Sequence, residues 1–141
     1  MTQEDKDLLL KDLCARLPYR VKCYIVDLNC VKVIGSIQYI GTYQPSVDVF
    51  DEDDNEYETL YMSEMKPYLF PLSSITPEQE KELYQLGIGY GEYGFHDDIY
   101  GRGIMVDEAY AFYEWCYKNH IDFRGLIPMG LAKDATGLNI Y

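Results

Sequence analysis

The hydrophobic period of this chain changes at Pro18, and that change constrains the fold more than any other feature. Ahead of it, in TQEDKDLLLKDLCARL, Leu9, Leu10, Leu13 and Leu17 recur at helical spacing, joined by Leu8 and Cys14. Such a stripe marks an amphipathic helix that has to dock on something. Thr2, with Asp5 three residues on, approximates a capping box, and Pro18 stops the helix. Beyond it RVKCYIV alternates Val21, Cys23 and Ile25, and VKVIGSIQYI continues as a second strand in which Gly35 marks a bulge or bend. SVDVF and YETLYM flank the acidic turn DEDDNE as a hairpin, and KPYLFPLSS follows as an extended segment that Pro67 and Pro71 keep out of a central strand position. Four or five short strands over about fifty residues predict a small, bent antiparallel sheet, SH3-like or a similar small barrel.

A second helix opens in SSITPEQEKELYQLG, where Thr76 is the N-cap, Pro77 the first helical residue and Gln79 the partner in a capping box; Gly87 ends it. A third starts at Asp107, with Ala109, Phe112, Tyr113 and Cys116 on one face, and reaches about Asn119. The tail carries Leu126, Ile127, Met129 and Leu131 and is expected to pack. The fold class is therefore α+β in a single domain, 1–141: a helix over 1–17, a small β-barrel or sheet over 19–72, and a helical and glycine-rich part over 76–141 with two C-terminal helices.

Between the second and third helices, GIGYGEYGFHDDIYGRG holds six of the eleven glycines, and Gly89, Gly91 and Gly94 spell G-x-G-x-x-G. A dinucleotide fingerprint needs a strand before it and a helix opening at its third glycine. Here a helix precedes it, and FHDDIYGRG does not open one. Glu92, Asp97 and Asp98 repel phosphate, so the stretch is read as a loop whose rings, Tyr90, Tyr93, Phe95 and Tyr100, tuck against the body.

Charge narrows the partners. Twenty-four carboxylates against twelve Lys and Arg give a net charge of −12, which disfavours direct nucleic-acid or anionic-membrane binding. Seven of the carboxylates lie between Asp48 and Glu58 with no Lys or Arg among them; Asp51, Asp53, Asp54 and Glu56 read first as a solvated hairpin tip, and as an electrostatic patch they would suit a basic partner or a weakly held divalent ion. The same run fails as an EF-hand, because positions six and twelve hold Glu56 and Met62. Cys14, Cys23, Cys30 and Cys116 form no C-x-x-C pair, and with only His96 and His120 no zinc site can be written. Cys14 and Cys116, on apolar helix faces, are expected to be inert buried thiols. No motif demands a metal or another cofactor. No secretory or membrane-spanning run is seen, so a cytoplasmic protein is expected.

EWCYKNHIDFRGLIPMGLA gathers Trp115, His120, Asp122, Phe123 and Arg124 within ten positions. Trp115, His120 and Arg124 are the residue types that anchor interfaces, although Trp115 also suits a core and Asp122 with Arg124 a turn. LLLKDLCARLPY, KPYLFPLSS before a capped helix, and FRGLIPMGLAKDATGLNIY together resemble an uncharacterised family of small proteins found in gut Bacteroidales genomes and their phages or other mobile elements. That resemblance implies an intracellular bacterial protein with a compact α+β fold and carries over no site residue. The expected function is a non-enzymatic acidic interaction protein that binds a protein partner. The alternatives are a phage-encoded inhibitor of host defence, acting by nucleic-acid mimicry or by sequestering a small nucleotide signal, and a small metal-dependent hydrolase. A nucleotide would need basic residues gathered from distant segments, such as Arg20, Lys22, Arg102 and Arg124; a hydrolase would need His96 or His120 beside carboxylates or a thiol.

Overall fold

The computed structural model describes residues 1–40, 44–54, 56–91, 94–97 and 106–141. The Thr2 hydroxyl accepts the Asp5 N–H at 3.1 Å and the Asp5 carboxylate accepts the Thr2 N–H at 2.7 Å, which launches α1 (Gln3–Arg16). This reciprocal pair satisfies donors that have no partner inside the helix. Pro18 ends α1 in a 3-10 turn, Leu17–Tyr19, closed by Arg20 in the left-handed conformation. Leu9 and Leu13 are fully buried, with Leu8, Leu10 and Leu17 packed half-buried beside them. The buried face also contains Asp12 and Arg16, both fully buried. Cys14 corrects the expectation of a buried thiol: it sits about 100° round the helix from Leu13 and is exposed.

The main sheet takes β1 (Lys22–Ile25), β2 (Cys30–Ile40), β3 (Gln44–Phe50), β4 (Tyr57–Tyr61), β5 (Met65–Leu69) and β8 (Lys133–Asp134), in the order β4-β3-β2-β1-β5-β8. Its register shifts between Ile34 and Ser36, the bulge expected at Gly35. A side chain at Gly35 would meet the Tyr57 ring at 3.0 Å and the Phe50 ring at 3.1 Å, so the rings cross the sheet only over a glycine. Two expectations are corrected here. The sheet is open and mixed rather than a closed antiparallel barrel, because the tail returns as β8 and pairs parallel to β5, on the ladder a closing strand would need. And β5, with Pro67, lies between two neighbours rather than at an edge. Pro67 is tolerated because β8 pairs only with Tyr68 and Leu69, one residue further on, so the missing N–H leaves no gap on that side.

The second helix, α2 (Pro77–Gln85), has the expected Thr76–Gln79 capping box, and Gly87 at φ 78° ends it. The glycine-rich stretch then forms a hairpin instead of a loop: β6 (Ile88–Gly91) pairs with β7 (Gly94–Asp97), Gly89 opposite His96 and Gly91 opposite Gly94. The G-x-G-x-x-G spacing thus lies across two antiparallel strands and opens no helix. Tyr93 and Tyr100 lie outside the described residues. The last helix, α3 (Val106–Lys118), begins one residue earlier than expected. Leu126, Leu131 and Ala132 of the tail join the core between α1 and the sheet, while Leu83, Ile88, Phe112, Trp115, Cys116 and Ile121 make a second cluster.

Candidate functional site

Trp115, His120 and Arg124 are brought into one region, and the structure turns them inward. The end of α3 explains His120. Its N–H donates to the Tyr117 carbonyl at 3.1 Å, and the Ile121 N–H reaches back to the Cys116 carbonyl at 2.8 Å. This is a Schellman closure with His120 in the left-handed position at φ 56°, where glycine is usual. The ring is held by a stack on Tyr141, with centroids 3.8 Å apart and planes 14° apart. Its Nδ1 is buried with no hydrogen-bond partner. Burial, and then the positive charge of Arg16, lower the imidazole pKa to about 4. A ring walled in this way stays in its neutral form near neutral pH. Tyr141 in turn inserts its phenol, which accepts the Lys22 N–H at 3.0 Å and donates to the Tyr68 carbonyl at 2.7 Å. Burial pushes that phenol above its usual range.

Trp115 is 6% exposed and donates its indole N–H to Glu82 Oε2 at 3.0 Å, tying α3 to α2. Arg124 donates from Nε to Asp12 Oδ1 at 3.2 Å and from Nη2 to the Tyr117 hydroxyl at 2.9 Å. The centre of this network is the pair Asp12–Arg16, 2.6 Å apart. Arg16 Nη2 also reaches the Ile121 carbonyl at 2.8 Å, and Nη1 the Cys116 carbonyl at 3.5 Å. The network fastens α1 to the end of α3. Sequence reading missed Asp12 and Arg16, yet their signal was present: Leu9, Asp12, Leu13 and Arg16 follow the i, i+3, i+4, i+7 spacing of a buried face.

The acidic hairpin is less negative than its sequence. Glu52 accepts from Lys22 Nζ at 2.9 Å and Arg20 Nη2 at 3.3 Å, and these bonds hold its carboxyl below the usual range. Glu58 pairs with Lys32 at 3.3 Å. Asp48 is buried and accepts from Ser36 at 2.6 Å, from Thr59 at 2.7 Å and from the Gln38 amide, which lower its pKa in the order Ser36, Thr59, Gln38, against the effect of burial. What faces outward is Asp53, Asp54 and Glu56, with Asp51 half-buried; Asp51 and Asp54 accept the N–H groups of Asp53 and Glu56 in tight turns. Arg20 and Lys22 meet at Glu52 whereas Arg124 engages Asp12, and Arg102 lies outside the described residues, so the three described cations form no common phosphate site. His96 sits in β7 and Tyr90 in β6, opposite Phe95. Among the described residues no three His, Cys, Asp or Glu side chains are grouped to hold a metal ion.

The surface that stands out lies on the other side of the Arg16 network. Ala15 and Pro18 form one wall of a groove of about 340 Å³; Tyr110, Tyr113, Glu114 and Tyr117 of α3 form the other, with Tyr19 between. Residues 110, 113, 114 and 117 share one helix face by their spacing. Tyr110 is 78% and Tyr113 45% exposed. The Tyr19 hydroxyl donates to Glu114 Oε1 at 3.2 Å, and its pKa is raised by burial and then by that bond. Beneath the groove the Tyr113 and Tyr117 rings lie 5.2 and 5.4 Å from Phe123, which fixes them from behind.

The thiols divide by burial. Cys23 and Cys116 are pushed up to about 12, each chiefly by burial, whereas Cys14 is exposed. An aromatic disulfide reagent at pH 7.5 is expected to modify Cys14 first and to leave Cys23 and Cys116 untouched until denaturant is added. Stoichiometric reaction of all four thiols in the native protein would contradict the packing described.

No protein-family model, no curated protein and no solved structure matches this chain. No helix among the described residues is long and apolar enough to cross a membrane.

Proposed function

We propose that this is a non-enzymatic, acidic protein-binding module whose contact surface is the tyrosine groove between the end of α1 and α3. The observation that carries the reading is the exposure of Tyr110 and Tyr113 on a helix clamped from behind by Trp115, Phe123 and the Asp12–Arg16–Arg124 network. Tyrosine presents a large amphipathic surface with only two side-chain torsions to immobilise, and the Tyr113 ring is already held against Phe123, so its ordering on binding costs little entropy. Trp115, His120 and Arg124 then act as the support of the surface rather than as its anchors. The outward Asp53, Asp54 and Glu56, with the half-buried Asp51 beside them, add a field that steers a basic partner and raises its association rate.

The test is site-specific photo-crosslinking in extract of the native cell, with a benzophenone side chain at position 110. The expected result is one crosslinked protein, competed by unlabelled wild type and at least about tenfold less well by folded Tyr110→Ser/Tyr113→Ser, as aromatic hot spots require. Equal competition by the two proteins removes the groove from the interface.

A further inference from the structure

We infer that the tyrosine groove receives an arginine side chain from a basic segment of the partner protein. This rests on the reading of the groove as a contact surface and specifies its chemistry. Three features of the molecule point to a guanidinium. The first is how the protein houses its own cations. Arg16 lies over the Tyr117 ring at 5.3 Å, Arg20 over Phe50 at 5.7 Å and Arg124 over Phe123 at 4.9 Å; the Lys133 ammonium lies over Tyr24 at 3.6 Å. Every described arginine is placed against an aromatic face, where the ring quadrupole attracts it.

The second is that no described cation stands over the exposed rings of the groove. Among the described residues none lies over Tyr110 or Tyr113, although Tyr117, one turn along the same face, already has Arg16 against it. The third is charge. Glu114 stands in the groove wall, and Tyr19 is the donor to one of its oxygens, leaving acceptor capacity toward the groove. The chain as a whole has a net charge of −12. A planar guanidinium can stack on a ring and donate to a carboxylate in the same pose, which a compact, strongly hydrated ammonium does less well. Tyr110 and Tyr113 would supply the faces, Glu114 the counter-charge, and Tyr19 the hydrogen bond that orients Glu114.

The experiment is a titration of the intact protein with a hexa-arginine peptide and with its neutral hexa-citrulline isostere, at about 0.15 M salt so that diffuse attraction is screened. Affinity and tyrosine ring-proton shifts are followed by NMR. The expected result is saturable arginine binding with the largest shifts at Tyr110 and Tyr113. Tyr110→Leu/Tyr113→Leu should weaken it by about tenfold, Tyr110→Phe/Tyr113→Phe should restore it, and citrulline should not bind. Equal binding of the two peptides would make the groove an apolar site and overturn the inference. So would unchanged binding in the leucine variant, the outcome if the hairpin acids alone take the peptide; Asp53→Asn/Asp54→Asn would then abolish it. If arginine fails while the crosslink at position 110 is still competed by wild type and not by the serine variant, the contact surface stands and its arginine specificity falls. If both fail, both readings fall.

Discussion

Arg16→Met is expected to lower the free energy of unfolding by about 3–5 kcal/mol, a large part of the roughly 5–15 kcal/mol that stabilises a domain of this size. The reason is what the substitution leaves behind. Asp12 is fully buried, and its shortest contact, 2.6 Å, is to Arg16. Methionine fills comparable volume but supplies no donor, so the carboxylate keeps only the 3.2 Å contact from the partly exposed Arg124. The Ile121 carbonyl also loses its guanidinium donor, at the point where the chain leaves α3. Asp12→Leu/Arg16→Met should be markedly less destabilised than Arg16→Met alone, since removing both charges removes the unpaired one. Urea unfolding of wild type, the two single variants and the double variant closes the cycle. A loss below about 1 kcal/mol for Arg16→Met would mean that water reaches Asp12 and that the pair is not a buried one.

Acid should unfold the protein earlier than a chain with ordinary histidines. The His120 pKa is lowered to about 4 in the fold, against about 6.5 in the unfolded chain. Between those values the unfolded state binds a proton that the folded state refuses. The contribution is therefore fully present above pH 6.5 and declines by about 1.4 kcal/mol per pH unit as pH falls toward 4, roughly 3 kcal/mol in all. Asp48 acts with the same sign at lower pH: its depressed pKa gives stability above the ordinary carboxylate range that is lost as pH falls through the folded value. Urea unfolding across pH 7.5 to 4.5, compared with His120→Asn, separates the two. Asparagine tolerates the left-handed backbone at this position but has no proton to bind. The wild-type curve should fall away from the variant's below pH 6.5; parallel curves would show that the imidazole is not shielded as the stack on Tyr141 requires.

Both predictions depend on contacts that no local reading contains, and the same division runs through the molecule. The start of α1 at Thr2 and of α2 at Thr76, the stop at Pro18, the bulge at Gly35 and the hairpin around DEDDNE were legible because each rests on residues a few positions apart: a hydroxyl and a carboxyl three residues on, a ring that forbids helix, an alternation of two. The exclusion of a phosphate loop was legible too, since a helix ahead of the glycines was enough to rule it out; that the glycines pair across β6 and β7 was not, because a register is chosen by two strands together.

The roles of the candidate residues needed the fold. Arg124 meets Asp12 across 112 positions, Arg16 meets Ile121 across 105, and Tyr141 reaches Tyr68 across 73. Hydrophobic spacing identifies a face as buried but not what it is buried against. So Asp12 and Arg16 went unmarked, and Trp115 and Arg124 stood between interface anchors and core or turn residues, until α3 was laid against α1. The open edge of the sheet has the same origin: the tail residues Lys133 and Asp134 pair with β5 from more than sixty positions away. Side-chain type and spacing determined which segments form and which faces are apolar or acidic. Tertiary packing decided which of those charges were neutralised from a distance and which rings remained outside, because desolvation and ion pairing depend on spatial neighbours rather than on sequence neighbours.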